Sequence, residues 1–280
     1  FSITQVSAQI IRAYAGPVYS DNLKGGHTMF GNAILQRTSG NGTFAVGTGG
    51  VTATVGNDNS DMVYIDVDGV VSTFNSSSAD LVLPAGTNTI KFARLYWGGR
   101  IDDDNSNYAN RGTVSIRKAA GAYATVNAGV QIDQTLLTGD QYAYQAYQDV
   151  TAFVNTNGAG SYTVANVATT TGSVGGGGNY GGWALVVVYE NLTLPYSSVR
   201  VYDGFVRVEN NATQAIQLTG LNAPGTPVLA SDAYMSTMAW EGDGNLAATA
   251  QNPAGDYIKV NGTAVSNAVN PITNFWNGTI

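Results

Sequence analysis

The chain contains no cysteine and a single histidine, His27. The absence of cysteine excludes disulfides, thiolate nucleophiles and cysteine-based metal sites together. Stability must therefore come from packing and backbone pairing, with bound ions as a further brace. A catalytic triad or a histidine-based zinc site would rest on His27 alone, and no GxSxG nucleophile motif accompanies it. We therefore interpret His27 as a residue of a surface loop or a strand end.

Charge is also scarce, and basic charge most of all. Only 11% of the residues are charged, and the formal net charge is −7. Without a basic stripe the chain has little to attract phosphates, so its composition argues against nucleic acid and against an anionic membrane surface as partners. An acidic chain without cysteine is compatible with an exported bacterial protein.

Long hydrophobic runs are missing as well. The longest run, Trp183 to Tyr189 or WALVVVY, is far shorter than the roughly 20 residues of a membrane-spanning helix, so no direct membrane insertion is expected. The first residues, FSITQVSAQIIRAYAG, lack the charged and apolar regions of a secretory signal. We expect that an export signal has already been removed.

The pattern that is present is one of strands. Hydrophobic residues make up 44% of the chain, and runs of Val, Ile, Thr and Tyr alternate with clusters of Gly, Asn, Asp and Ser. WALVVVY is apolar on both faces and is predicted to be the central core strand. The predicted fold class is all-β, a large antiparallel β-sandwich of jelly-roll-like form. The clearest predicted strands are Met62–Val67, Thr89–Trp97, Thr113–Arg117, Tyr162–Val167, Trp183–Tyr189, Val199–Val208 and Tyr257–Val260.

One short helix is predicted near residues 150–156. Asp149 can cap its first turn, and Val150, Phe153 and Val154 follow at the spacing of one helical stripe. The Asn-Gly pair that follows is a stop signal.

No Pro-rich or Ser-rich linker divides the chain. We therefore predict one large sandwich module over residues 1–280. The alternative is two packed β subdomains, 1–192 and 196–280.

No motif indicates catalysis. Gly176, Gly178 and Gly181 form a GxGxxG pattern, but it leads into a strand, and without a following helix there is no phosphate cradle. The three glutamates lie in unrelated segments, so the sequence brings no two acids together for glycoside hydrolysis. We predict that the protein is not an enzyme and requires no cofactor.

Acidic tracts are the candidate metal sites. Calcium prefers several carboxylate and carbonyl oxygens from a loop, and it often rigidifies extracellular β domains. The candidate calcium ligands are Asp102, Asp103, Asp104, Asp66, Asp68, Glu241 and Asp243. No EF-hand is present, because after Asp102 the turn glycine is replaced by Asn107 and the bidentate glutamate by Thr113. The alternative is a solvated turn, which Gly98-Gly99 would begin at the end of the ARLYW strand.

Aromatic residues allow a carbohydrate-binding interpretation, since sugar rings stack on exposed aromatic faces. The chain has 16 Tyr and 4 Trp, but most are spaced as strand residues, which packing explains more simply. In QYAYQAYQ, Tyr142, Tyr144 and Tyr147 cannot all share one face, so at least one ring is expected to be exposed. The sequence assigns no ligand-binding residue.

Several phrases occur in an order that resembles a known family. They are MFGNAILQR, YIDVDGVVSTFNSSSADL, ARLYWGGR, DVTAFVNTNGAGSYTVANV, GGWALVVVYEN, VRVYDGF, AWEGDG and NPITNFWNGTI. Together they resemble the N-terminal module of large SprB-like surface adhesins of gliding Bacteroidetes-type bacteria, which are substrates of type IX secretion. The resemblance implies a non-enzymatic module on a long stalk, so residues 1–280 would be a fragment of a longer surface protein. It carries no catalytic residues to transfer.

The leading functional prediction is an extracellular cell-surface adhesin module that attaches to surfaces or glycans in gliding motility. Its partners would be a surface polysaccharide, a glycan or an abiotic surface, together with the rest of a long adhesin chain or neighbouring subunits. The alternative is a structural filament or stalk subunit that polymerises by strand donation. A polysaccharide-acting enzyme is the third alternative, and it requires a cleft with paired carboxylates.

Overall fold

The computed structural model describes residues 8–38, 57, 60–174, 178–209, 212–222, 233–242, 256–267 and 270–276. Its secondary structure is mostly antiparallel strand, which confirms the predicted all-β class. The strands are β1 Gln9–Arg12, β2 Pro17–Ala33, β3 Leu35–Arg37, β4 Met62–Tyr64, β5 Ser76–Leu81, β6 Thr89–Asp102, β7 Thr113–Lys118, β8 Ala124–Asn127, β9 Ile132–Thr138, β10 Gln141–Asp149, β11 Gly160–Ala165, β12 Gly181–Glu190, β13 Tyr196–Tyr202, β14 Phe205–Arg207, β15 Lys259–Val260 and β16 Thr263–Ala264. The helices are α1, Thr151–Asn157, and a 3₁₀ turn, Tyr108–Asn110.

Two sheets form the body of the sandwich. The larger has six strands in the order β13-β2-β12-β6-β10-β9, and the smaller has four in the order β5-β11-β7-β8. β12 contains WALVVVY and lies between β2 and β6, so the prediction of a core strand is confirmed. Its apolar side chains are buried on both faces because the inner face meets the smaller sheet and the outer face is covered by β13.

The main core lies between the two sheets. Trp97, Tyr144 and Leu185 of the larger sheet belong to the same buried cluster as Ile116 and Tyr162 of the smaller one. Burying large apolar side chains of this kind stabilises the fold by about 1.5–3 kcal/mol each. The shared core is what holds the loops at the ends of both sheets in a fixed relation.

The larger sheet curls over its own outer face. β2 pairs with β13 along its first half and with β12 along its second, and the change occurs at Gly25. Gly25 has φ +152°, and a Cβ there would lie 2.1 Å from the carbonyl oxygen of Tyr189. Only glycine permits this close approach. The curl brings Val199 and Val201 onto Phe92 to form a second, smaller core.

The expected turn at Gly98-Gly99 is wrong. β6 continues through both glycines to Asp102 and stays paired on its two sides, with Gly99 opposite Tyr144 of β10 and Gly181 of β12. A Cβ on Gly99 would lie 2.5 Å from the carbonyl oxygen of Tyr180. The glycines therefore serve close approach of neighbouring backbones inside the sheet, which a sequence reading mistook for a turn.

The predicted helix is present as α1. Val154 is fully buried, Asp149 accepts a hydrogen bond from the amide of Thr151 at 2.9 Å, and Gly158 ends the helix with φ +62°. No helix in the described parts of the chain is long and apolar enough to cross a membrane.

The alternative division into two subdomains puts the boundary at residues 193–195, between β12 and β13. Both strands belong to the larger sheet, where each pairs with β2. The division of the whole 280-residue chain into one module or two stays a prediction.

Candidate functional site

Three loops meet at one end of the sandwich, which we call the loop end. They are the 66–75 loop before β5, the 103–112 loop between β6 and β7, and the 166–170 loop after β11. Asp103 and Asp104 of the acidic tract lie in the second of them, and Asp102 is the last residue of β6. Loops on a rigid β scaffold commonly carry binding residues, so the loop end is the candidate site.

The side chain of Asn75 joins the first loop to the third. It is fully buried, its Nδ2 donates to the carbonyl oxygen of Val167 at 2.8 Å, and its Oδ1 accepts from the Val167 amide at 3.0 Å. Asn166 adds a further bond, since its Oδ1 accepts from the Phe74 amide at 3.0 Å. Asn166 has φ +64°, a left-handed conformation that asparagine tolerates better than most residues. The two loops are therefore locked together through their backbones.

Core tyrosines fix the 166–170 loop from below. The Tyr144 hydroxyl donates to the carbonyl oxygen of Ala168 at 2.8 Å, and the Tyr64 hydroxyl donates to that of Thr169 at 2.5 Å. Burial raises the pKa of both tyrosines, so both hydroxyls keep their protons and remain donors. The loop is thereby tied directly to the main core.

The 103–112 loop is held by one arginine. The Arg111 guanidinium lies 4.0 Å from the centre of the Tyr108 ring, and it donates to the Tyr108 carbonyl at 2.7 Å and to Gln134 Oε1 at 2.7 Å. The indole of Trp97 donates to the Arg111 carbonyl at 2.9 Å. These contacts fix the 3₁₀ turn and the asparagines on it.

A small pocket opens where the three loops meet. Its volume is about 270 Å³, and its lining residues are Ser72, Phe74, Asn107, Asn110, Thr113, Asn166 and Ala168. None of these side chains ionises, and three are carboxamides. Phe74 is 37% exposed and packs against Tyr64 with the ring centres 5.4 Å apart. The pocket thus combines an accessible aromatic ring with uncharged groups that both donate and accept hydrogen bonds.

Asp66 and Asp68 lie at the base of the 66–75 loop and bind protein donors. Asp66 Oδ1 accepts from the Ser76 hydroxyl at 2.9 Å, and Asp68 Oδ1 accepts from the Val70 amide at 2.9 Å. The Asp68 side chain is fully covered, and its Oδ2 lies 3.5 Å from Arg117 Nη2 and accepts from the Tyr123 hydroxyl.

The pKa of Asp68 is lowered: burial alone would raise it, but hydrogen bonds, first that from Tyr123, outweigh burial. Both Asp68 oxygens are thus held by protein donors, and Asp66 and Asp68 together fix the 66–75 loop through hydrogen bonds.

Asp102, Asp103 and Asp104 form the turn that leaves β6. Asp103 and Asp104 are exposed, whereas Asp102 is half-buried and its Oδ1 is a buried atom without a hydrogen-bond partner. The pKa of Asp102 is raised by burial and by the negative charges of Asp140 and Asp104, against the attraction of Arg100.

Glu241 belongs to the 233–242 segment, away from this turn in the sequence, and Asp243 lies outside the described residues. Among the residues described, no three acidic or histidine side chains come together as a metal site. Calcium binding at the acidic tracts stays a prediction.

A buried ion network on the outer face of the larger sheet was missed by the sequence reading. Asp203, between β13 and β14, accepts hydrogen bonds from Arg12 Nη1 at 2.6 Å, Arg94 Nη1 at 2.7 Å and the Tyr96 hydroxyl at 2.7 Å. Arg12 Nε also donates to Asp133 Oδ2 at 2.8 Å. The network ties β1, β6, β9 and the turn after β13 together.

The charges of this network stabilise one another. Burial alone would raise the pKa of Asp203, but the hydrogen bonds from Arg12 and Tyr96 outweigh it and the pKa is lowered. Burial and the negative charge of Asp203 raise the pKa of Tyr96, which therefore remains a donor. Because each side chain is committed to a partner in the fold, we interpret the network as structural.

His27 lies inside β2, so its assignment to a surface loop or a strand end is wrong. Its ring centre is 5.0 Å from that of Tyr234, and Nε2 lies 3.2 Å from the Ser236 hydroxyl. Burial lowers the pKa of His27. The 233–242 segment covers His27. In the same segment, Trp240 Nε1 donates a hydrogen bond to Gln145 Oε1 at 3.0 Å.

The fold and the loop end together define an all-β sandwich module with a small uncharged pocket on fixed loops. No protein-family model matches the chain, and neither a curated protein nor a solved structure does. The resemblance to SprB-like adhesins therefore stays a prediction.

Proposed function

We propose that this chain is an extracellular adhesin module that attaches a cell to glycans or other surfaces through its loop end. The observation that carries the proposal is the pocket beside Phe74, because an aromatic side chain of that size is left 37% exposed on loops that are otherwise tied to the core. Exposed aromatic rings next to convergent polar groups are typical of binding sites.

Other features of the chain support the same proposal. The net charge of −7 and the lack of cysteine are compatible with export, and the resemblance to SprB-like adhesins points to the cell surface and to gliding motility. Val71, in the middle of the 66–75 loop, is fully exposed and adds apolar surface, and Val67 at the base of the loop is 57% exposed. Apolar groups at a loop tip suit contact with a surface.

The test is attachment of beads that carry the purified chain. Beads under gentle flow should be retained on polysaccharide-coated or glycan-coated glass, and Phe74→Ala should reduce the retained number. Leu192→Ala is the matched control, because Leu192 is exposed and lies just after the C-terminal end of β12, away from the loop end. Retention no better than that of beads coated with an unrelated acidic protein would contradict the proposal.

The structural-subunit alternative rests on the edge of the smaller sheet. β8 is the last strand in the order β5-β11-β7-β8, and in the part of the chain described here no strand pairs with its outer side. Such an edge can accept a donated strand. Mass measurement in solution separates the two functions: regular filaments would favour a polymerising subunit, and a monomer at high concentration would exclude it.

A further inference from the structure

We propose that the pocket at the loop end binds one ring of an uncharged saccharide, with Phe74 against the ring face and Asn110, Asn107 and Asn166 facing its hydroxyl groups. The inference rests on the proposed function in that it names the ligand through which the module would attach.

The lining selects against charge. The residues around the pocket are amides, hydroxyls, one phenylalanine and one alanine, so a charged ligand would meet no opposite charge inside it. Two charged side chains of these loops are already engaged, Arg111 with Tyr108 and Gln134, and Asp68 with Arg117 and Tyr123. Burying an unpaired charge is costly, so an uncharged ligand is favoured.

The polar groups suit sugar hydroxyls. A hydroxyl both donates and accepts, and a carboxamide offers one acceptor and two donors at its end. In the described residues the Asn110 carboxamide and the Ser72 hydroxyl make no protein hydrogen bond, and both line the pocket. They are free to bond a ligand without breaking a bond in the fold.

The aromatic ring and the volume suit one sugar ring. The Phe74 ring packs against the Tyr64 ring with the two ring centres 5.4 Å apart. Its exposed part offers an apolar surface to the C–H face of a sugar. A volume of about 270 Å³ falls just below the roughly 300–1,000 Å³ of sites for drug-sized ligands. One ring therefore fits, and the rest of a longer glycan would extend into solvent.

The site is preorganised by residues that do not touch the ligand. Asn75 holds Val167 through two hydrogen bonds, which fixes Asn166 and Phe74 relative to each other. Loops fixed in this way lose little conformational entropy on binding. Asn75 is thus a positioning residue, and its replacement should weaken binding without removing any ligand contact.

The test is an NMR titration of the full chain with a panel of single sugars. The panel contains the neutral methyl glycosides of glucose, galactose, mannose and N-acetylglucosamine, and the acidic N-acetylneuraminic acid. At least one neutral sugar should shift the amide signals of Phe74, Asn110 and Asn166, and the acidic sugar should not. Phe74→Ala and Asn110→Ala should each weaken binding by about tenfold, the loss expected for one good contact.

Asn222→Ala is the matched control, because Asn222 is an exposed asparagine outside the pocket lining. It should leave the affinity unchanged. The positioning role of Asn75 is measured separately, since Asn75→Ala should increase amide exchange at Val167 as well as weaken binding, because the Val167 amide loses its acceptor.

The outcomes separate this inference from the proposed function. If no neutral sugar shifts the pocket signals while beads still attach to a surface, the saccharide pocket is wrong and the adhesin function stands. If a neutral sugar binds as described while beads attach to nothing, the pocket stands and the adhesin function is wrong. Preferred binding of the acidic sugar, or equal loss of affinity in Asn222→Ala, would overturn the inference.

Discussion

Asp203→Ala removes the centre of the ion network on the outer face. The Asp203 side chain is 6% exposed and binds Arg94, which is 17% exposed, and Arg12, which is 26% exposed. Removing one partner of a buried ion pair costs about 3–5 kcal/mol, because the remaining charge is left uncompensated. Arg12 keeps its bond to Asp133, and both arginines retain some contact with water. We therefore expect the free energy of unfolding to fall by about 3 kcal/mol, the low end of this range.

The assay is unfolding of the wild type and the variant in urea, with a thermal melt beside it. A loss of about 3 kcal/mol corresponds to a fall of roughly 6–12 °C in the melting midpoint at ~2–4 °C per kcal/mol, and the urea midpoint should fall at unchanged m. Asp80→Ala is the control, because Asp80 is exposed and its loss should stay within about 0.5 kcal/mol. An Asp203→Ala variant as stable as this control would refute the reasoning.

The pH dependence supplies an independent check. The pKa of Asp203 is lower in the folded chain than in the unfolded chain, so its stabilisation is complete above the unfolded value of about 4 and is lost as the pH falls through the folded value. The stability difference between wild type and Asp203→Ala should therefore be constant near neutral pH and shrink in acid below about pH 4. A difference that grows in acid would contradict the assignment.

Three further predictions concern the sheet and the loop end. Gly99→Ala should destabilise the chain by about 1–3 kcal/mol in urea, since its Cβ would lie 2.5 Å from the Tyr180 carbonyl oxygen; unchanged stability would mean that the strands do not approach so closely. Asp68→Ala should speed amide exchange at Val70 by about tenfold or more, because that amide loses its acceptor, and equal exchange rates would contradict the loop anchor. The calcium hypothesis predicts that calcium at 100 times its Kd raises the free energy of unfolding by about 2.7 kcal/mol, and the melting midpoint with it. Asp102→Asn should remove this effect. An identical midpoint with calcium and with chelator would exclude a bracing ion.

Much of the fold could be predicted because strand and helix signals are local. Alternation and β-branched residues identify strands, and WALVVVY is central because it is apolar on both faces and has to be covered twice. The helix could be predicted from residues within ten positions of one another, namely Asp149, Val154 and Gly158. The error at Gly98-Gly99 has a different cause, since the close approach of Tyr180 to Gly99 depends on a strand far along the chain.

The candidate site could be predicted only in part, because its contacts join distant residues. Asp103 and Asp104 lie on the loop after β6 as predicted, but Asp102 is the last residue of that strand, and the neighbouring loops could not be foreseen. Asn75 and Val167 are 92 positions apart, and Arg12 and Asp203 are 191 apart. A lone buried asparagine or aspartate carries no local signal for its partner, and the exposure of Phe74 depends on which loops surround it.

The central claim is that the pocket beside Phe74 carries attachment. The most direct measurement is bead retention on a glycan-coated surface in the presence of the neutral sugar that binds the pocket in solution. The account predicts that this sugar releases the wild-type beads in a concentration-dependent way, and that N-acetylneuraminic acid at the same concentration does not. Retention that is unaffected by a sugar known to occupy the pocket would contradict the claim.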